Sequence, residues 1–236
     1  MKSKYLYVIY PGACGGNHVC NMISLCEGFE QRVNSIAQSK YKEWLLNYYK
    51  QYNFSATPHM YVNAHLVDSI QHVDRLYEYV DKEYVLNTPN TLIVQGHLFN
   101  FWAASDNGIL EELGPDYNAI IMSYPPENSM PWNRIKAYEY DSPIKEYTFP
   151  LDICKSHPIG KPKNMTLEIN ENNGFYLDTV KFFTLEGSQY LRELLQQHFE
   201  VDLPIEADEL HSMWFKWMAH VLKPENIEYW NNKPRL

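Results

Sequence analysis

A three-layer α/β fold around a central, mostly parallel sheet is predicted by three observations. Short apolar runs rich in β-forming residues recur along the chain, segments with helical spacing of apolar residues separate them, and the first run opens into a glycine-rich turn followed by a helix. Strands that alternate with helices pair in parallel and are covered on both faces. A length of 236 residues suits one domain, so 1–236 reads as a single α/β domain.

The elements follow in order. Tyr5–Tyr10 (YLYVIY) is a buried strand, short, apolar and ended by the breaker pair Pro11-Gly12. Beyond the turn, Val19, Met22, Ile23 and Cys26 fall on one helical face, with Gly28 as the stop. Gln38–Tyr52 reads as a helix with Tyr41, Trp44, Leu45 and Tyr48 on one side, and Asn63–Val80 as another. Thr91–Leu98 (TLIVQGHL) and Ala119–Tyr124 (AIIMSY) read as buried strands, and Phe175–Phe183 (FYLDTVKFF) as a fourth. Between the last two, about 141–173, the chain is rich in Pro, Lys and Asn without a period, so a loop-rich insertion is expected. Ser188–Phe199 and Glu206–His220 are amphipathic helices.

Composition narrows the function classes. Lys plus Arg is 20 and Asp plus Glu is 29, a formal charge of −9, which disfavours a general nucleic-acid partner. Hydrophobic residues at 45% exclude a disordered chain. Aromatic residues reach 15%, including 19 Tyr, whose rings bury while their hydroxyls stay polar. No apolar run approaches the length of a membrane span, and the early run is too short for a signal-peptide core, so no membrane partner and a cytoplasmic location are expected. Cys14, Cys20 and Cys26 are spaced six apart, unlike zinc ligands, and of His59, His65 and His72 only two could share a helix face, with no third ligand evident, so no metal is predicted. His211 and His220 sit among Met213, Trp214, Trp217 and Met218, which suits core packing.

In a parallel sheet, ligands bind beyond the carboxyl ends of the strands. Three segments leave such ends: Pro11–His18, His97, and Ser123–Ser129. The first has two readings. Gly12, Ala13, Cys14, Gly15, Gly16, Asn17 and His18 suit an anion cradle, with backbone N–H groups turned into one concavity at a helix N-terminus. The other reading is a tight turn that simply needs glycine. The segment lacks the lysine of a Walker A loop. Cys14 is either a thiol activated by the helix N-terminus or a small residue in a tight loop. His97 is placed for general-base chemistry or for a loop hydrogen bond.

These segments resemble the P-loop sulfotransferases. Tyr10-Pro11 and Gly15 are similar to the first strand and phosphosulfate loop of that family, commonly Tyr-Pro-Lys-Ser-Gly-Thr-Thr-Trp. Gln95-Gly96-His97-Leu98 is similar to the family's Lys-Thr-His-Leu, which carries its base. The strand AIIMSY and the turn PPENSMPW resemble the segment that holds the 3′-phosphate. The resemblance implies transfer of a sulfonate group from 3′-phosphoadenosine 5′-phosphosulfate to a hydroxyl of a small molecule or glycan. His97 would be the general base, Ser123 and Ser129 would lie near the 3′-phosphate, and the side chains of Asn17 and His18 would donate to the transferring group.

Several departures from the family pattern remove charge, while Gly16-Asn17 stands for its Thr-Thr pair. Gly12 or Ala13 stands for the loop lysine, Gln95 for the lysine before the base, and Ser123 or Tyr124 for the arginine of the 3′-phosphate site. Each lost contact to a dianion costs about 1.5–3 kcal/mol. Arg134–Lys163 holds six basic residues against four acidic ones, so a loop there is a source of compensating charge or an ordinary solvated segment. The alternative reading is therefore a catalytically degenerate fold acting as a nucleotide-binding, anion-binding or interaction module.

Overall fold

In a computed structural model of the chain, the described residues are 3–10, 14–30, 43, 45–47, 49–50, 87–97, 117–123, 125–133 and 173–223. The predicted helix Asn63–Val80 and the expected insertion at about 141–173, apart from Asn173 at its end, lie outside them.

Five strands form one sheet in the order β2-β3-β1-β4-β5, with every pairing parallel. They are β1 (Tyr5–Tyr10), β2 (Phe29–Glu30), β3 (Thr91–His97), β4 (Tyr117–Met122) and β5 (Gly174–Leu177). The parallel α/β class is thus as expected. β1 is central, and all six of its residues are buried. That explains why its sequence is continuously apolar rather than alternating: both faces of a central parallel strand are covered.

Leu6, Val8 and Tyr10 of β1 share one face with Ile93, Ile120, Met122, Phe175 and Leu177. Against that face pack α1 (Gly16–Ile23), α2 (Thr179–Phe182), α3 (Gly187–Phe199) and α4 (Glu206–Val221). Residues 45–47 and 49–50 are helical within the predicted Gln38–Tyr52, and Leu45 and Tyr49 enter the same core. On the other face Tyr7 lies 6.3 Å from Tyr5 and 5.7 Å from Tyr117, ring to ring. All the helices described lie on the first face, so two of the three expected layers are described. None of the described helices is long and apolar enough to cross a membrane.

Several assignments differ from expectation. α1 begins at Gly16 rather than near Val19 and ends at Ile23. β2 is only two residues long, too short for a period to show, and follows Gly28, whose φ is +77°. β4 begins at Tyr117 and ends at Met122, before the predicted Tyr124. The predicted strand Phe175–Phe183 is a strand only to Leu177, because Asp178 caps a helix there. Its Oδ1 accepts hydrogen bonds from the N–H groups of Val180 at 2.9 Å and Lys181 at 3.3 Å. A carboxylate at that position offsets two orphan amides and opposes continuation of the strand. Asp178→Ala is expected to lower stability by about 1 kcal/mol, read as a shift of the urea unfolding midpoint with unchanged slope.

The last two helices are tied together by charge as well as by packing. Arg192 of α3 grips Asp208 of α4 with two 2.8 Å bonds from one guanidinium nitrogen, and its Nε donates to the carbonyl of Leu203 at 3.0 Å. This fixes the turn at Leu203–Ile205 and sets how α4 crosses back toward α1.

Candidate functional site

The site expected from the sequence lies at the carboxyl end of β1. The register brings its parts together: Tyr10 pairs with His97, and Ile9 pairs with both Gly96 and Ile121. The glycine-rich turn, the end of β3 and the end of β4 therefore leave the sheet side by side. Within the described strands the connection from β1 leads toward β2 at one edge, and that from β4 toward β5 at the other. Diverging connections of this kind open a crevice above the central strands.

Local sequence dictates the turn. Gly15 sits at φ +77° and ψ 16°, the left-handed region that L side chains rarely adopt. A Cβ there would also lie 2.8 Å from the ring of Trp214. Gly16 opens α1 with the ring of Tyr10 directly against it. So the two glycines are required for different reasons: one for backbone conformation, the other for close approach of the strand's last side chain.

The N-terminus of α1 has no side-chain cap, and its first turn carries no acidic residue. An uncapped helix start presents amide donors and a partial positive charge. Asn17 is half-buried; its Oδ1 accepts a 2.5 Å hydrogen bond from the Tyr10 hydroxyl, which fixes the amide's orientation. Its Nδ2 has no partner among the described residues. Residues 5–30, 91–97 and 117–133 contain neither Lys nor Arg, so every described part of this site is built from neutral donors.

His18 is corrected by the structure. Expected as a side-chain donor to an anion, it points into the core instead and is only 3% exposed. Its Nδ1 lies 2.9 Å from the Tyr49 hydroxyl and its Nε2 lies 3.2 Å from His211 Nδ1. The ring stacks on Trp214 at 4.4 Å with an interplanar angle of 11°. Burial, and secondarily the field of His211, hold its pKa well below the usual imidazole value. Both nitrogens are committed, so only its backbone N–H is left for a ligand.

The other candidates fall as follows. Gly12 and Ala13 lie outside the described residues. Cys14 is fully buried, which does not suit a reactive thiol. His97 is the last residue of β3, and its backbone lies in register with Tyr10. Ser123 follows β4 at once, and its hydroxyl accepts from the N–H of Thr179 at 3.0 Å. In return the Thr179 hydroxyl donates to the Ser123 carbonyl. Ser129 donates to the Pro126 carbonyl at 2.7 Å and accepts from the N–H of Trp132 at 3.3 Å, as a helix cap. Both serines are thus occupied in shaping the segment after β4. Asn17 and the α1 amides are the donors that the structure places at the end of β1.

Two participants were not legible as such. Trp214 walls the turn from 199 positions beyond Gly15, and Tyr10 reaches forward to Asn17. Only the apolar spacing in α4 hinted at Trp214, and it pointed to a core role, which it also fills.

These features define an α/β protein with a neutral, glycine-built turn at the centre of a parallel sheet. No family model matches the chain, and neither a curated protein nor a solved structure matches it.

Proposed function

We propose that the carboxyl end of β1 binds the phosphate or phosphosulfate end of a nucleotide, and that the chain transfers a sulfonate group from 3′-phosphoadenosine 5′-phosphosulfate to a hydroxyl of a small molecule or glycan. The observation that carries this reading is the uncapped α1 N-terminus, set at the centre of the sheet beside the end of the strand bearing His97. The sequence resemblance at Tyr10-Pro11, Gly15 and Gln95-Gly96-His97-Leu98 supplies the reaction.

In this scheme the amides of Gly15, Gly16, Asn17 and His18 hold the 5′-phosphosulfate, with the Asn17 side chain beside them. His97 takes the proton of the acceptor hydroxyl as its oxygen attacks sulfur in line with the bond to the leaving phosphate. The S–O bond to the phosphate breaks, the new S–O bond forms, and adenosine 3′,5′-bisphosphate departs with its negative charge.

A second reading, anion binding without transfer, is favoured by the neutrality of the described site and by the inward turn of His18. Titration calorimetry separates these. Adenosine 3′,5′-bisphosphate should bind without added Mg²⁺, and Asn17→Asp, which keeps the Oδ1 acceptor for the Tyr10 hydroxyl, should abolish the heat by placing a carboxylate beside the α1 amides. Binding without sulfonate transfer to any hydroxyl supports the module. No binding at millimolar ligand rejects the adenosine-donor reading, and no binding of inorganic phosphate or sulfate either rejects the anion-binding one.

A further inference from the structure

The buried contact between α1 and α4 is a directed chain of hydrogen bonds whose direction can be read. Thr184 offers a carbonyl, which only accepts, 2.8 Å from His211 Nε2, so that nitrogen carries the proton. A neutral His211 then accepts at Nδ1, and His18 Nε2–H must donate to it. His18 Nδ1 is left as an acceptor and takes the proton of the Tyr49 hydroxyl. The Tyr49 oxygen in turn accepts from Asn21 Nδ2 at 3.2 Å. In this state one atom is left over: Asn21 Oδ1 is buried and has no hydrogen-bond partner among the described residues.

That leftover acceptor is what the opposite direction needs. If His211 takes a second proton, two donors face each other at 3.2 Å unless His18 releases Nε2 and carries its proton on Nδ1. The Tyr49 hydroxyl must then accept from His18 and turn its own proton toward Asn21. Rotation of the Asn21 amide presents Oδ1 to that proton and carries Nδ2 into the place Oδ1 held, so each direction of the chain leaves one amide atom of Asn21 over and the two directions are closely matched. We propose that Asn21, Tyr49, His18 and His211 form a reversible one-proton switch, which ties α1 to α4 and to the helical residue Tyr49 and changes direction when His211 becomes cationic. The proposal does not depend on what the site at β1 binds.

The surroundings favour His211 as the proton's seat. Burial opposes charge on both rings, but the Thr184 carbonyl and the Asp208 carboxylate favour it on His211. Asp208 is held by Arg192 of α3. On the neighbouring surface Lys50 pairs with Glu209 of α4 at 3.0 Å. From α2 and the segment after it, Phe182 and the Thr184 carbonyl face the pair, and Trp214 of α4 stacks on His18. Gly187 leaves room for the His211 ring: a Cβ there would lie 2.6 Å from its Nε2. Both pKa values are depressed, so the unfolded chain takes up these protons first. The pair's contribution to stability is complete above the unfolded value of about 6.5 and is lost as pH falls through the folded values.

The test is nitrogen-15 NMR of the histidine rings in the full chain between pH 7.5 and 5, with His18→Gln and His211→Gln used for assignment. At neutral pH both rings should be neutral with the proton on Nε2. On acidification of the folded protein, one proton should enter at His211 while His18 changes to the Nδ1–H form. Tyr49→Phe, which breaks the chain at its middle, should hold His18 in one form and move the His211 midpoint down by about one pH unit, tenfold in proton affinity. The proposal fails if His18 keeps Nε2–H while His211 titrates, if the two rings titrate independently, or if acid unfolds the chain before either ring takes a proton.

Discussion

Gly16→Ala is expected to be among the most damaging single-methyl changes in the described part of the chain. The new Cβ would lie 1.9 Å from Tyr10 Cδ1 and 2.0 Å from Cγ. These atoms are near the root of the ring, so a small rotation at its tip gives no relief. Tyr10 is itself 5% exposed, ends the central strand and is held through its hydroxyl by Asn17. Either α1 moves off the sheet or Tyr10 leaves its place, and both open the core. Overpacking of this kind costs about 3 kcal/mol, which for a chain of this size lowers the melting temperature by roughly 10 °C. Calorimetric melting reads it directly. An alanine variant that melts within a degree or two of the parent would mean that β1 and α1 are not in contact at Gly16. If the proposed function holds, adenosine 3′,5′-bisphosphate binding falls as well, because the amides at the start of α1 move with the helix.

Trp214→Ala carries the second large effect. The indole touches four parts of the structure at once. It stacks on His18, meets Phe183 edge-on at 4.9 Å, lies 5.6 Å from Phe182 and fills the space beside Gly15. It is 5% exposed. Truncation leaves a cavity bounded by the turn on one side and the histidine pair on the other, with an expected loss of about 3–5 kcal/mol. Trp214→Phe should recover a good part of that loss, since a ring still covers His18. Urea unfolding of the two variants side by side checks the ranking. Equal losses would show that the contact with Gly15, rather than the stack on His18, sets the cost, because phenylalanine reaches less far than indole.

Both predictions concern contacts between segments far apart in the chain, which marks the limit of sequence reading here. The glycines at 15 and 16 were legible as a turn between strand and helix. What stands against each of them was not, because Tyr10 and Trp214 are apolar residues in apolar patterns, and such patterns declare burial without naming a neighbour. His18 shows the same limit from the opposite side. Its position at a helix start suggested a ligand, but α4 offers it an indole face and a ring nitrogen, and Tyr49 offers a hydroxyl. Burial with both nitrogens bonded prevails over exposure at the turn.

Local composition by itself determined the class of this protein. Continuous apolar runs demand a sheet covered on both faces, helical spacing demands amphipathic packing, and the Gly-rich break after Tyr10 demands a tight turn into α1. These are properties of neighbouring residues, so they survive without knowledge of the rest of the chain. Tertiary structure decided the strand order, the end of β5 at the Asp178 cap, the inward turn of His18 and the engagement of Ser123 and Ser129 in the segment after β4. Each depends on a partner that only folding brings within a few ångströms, and a hydrogen bond or ring contact exists only once both sides are in place.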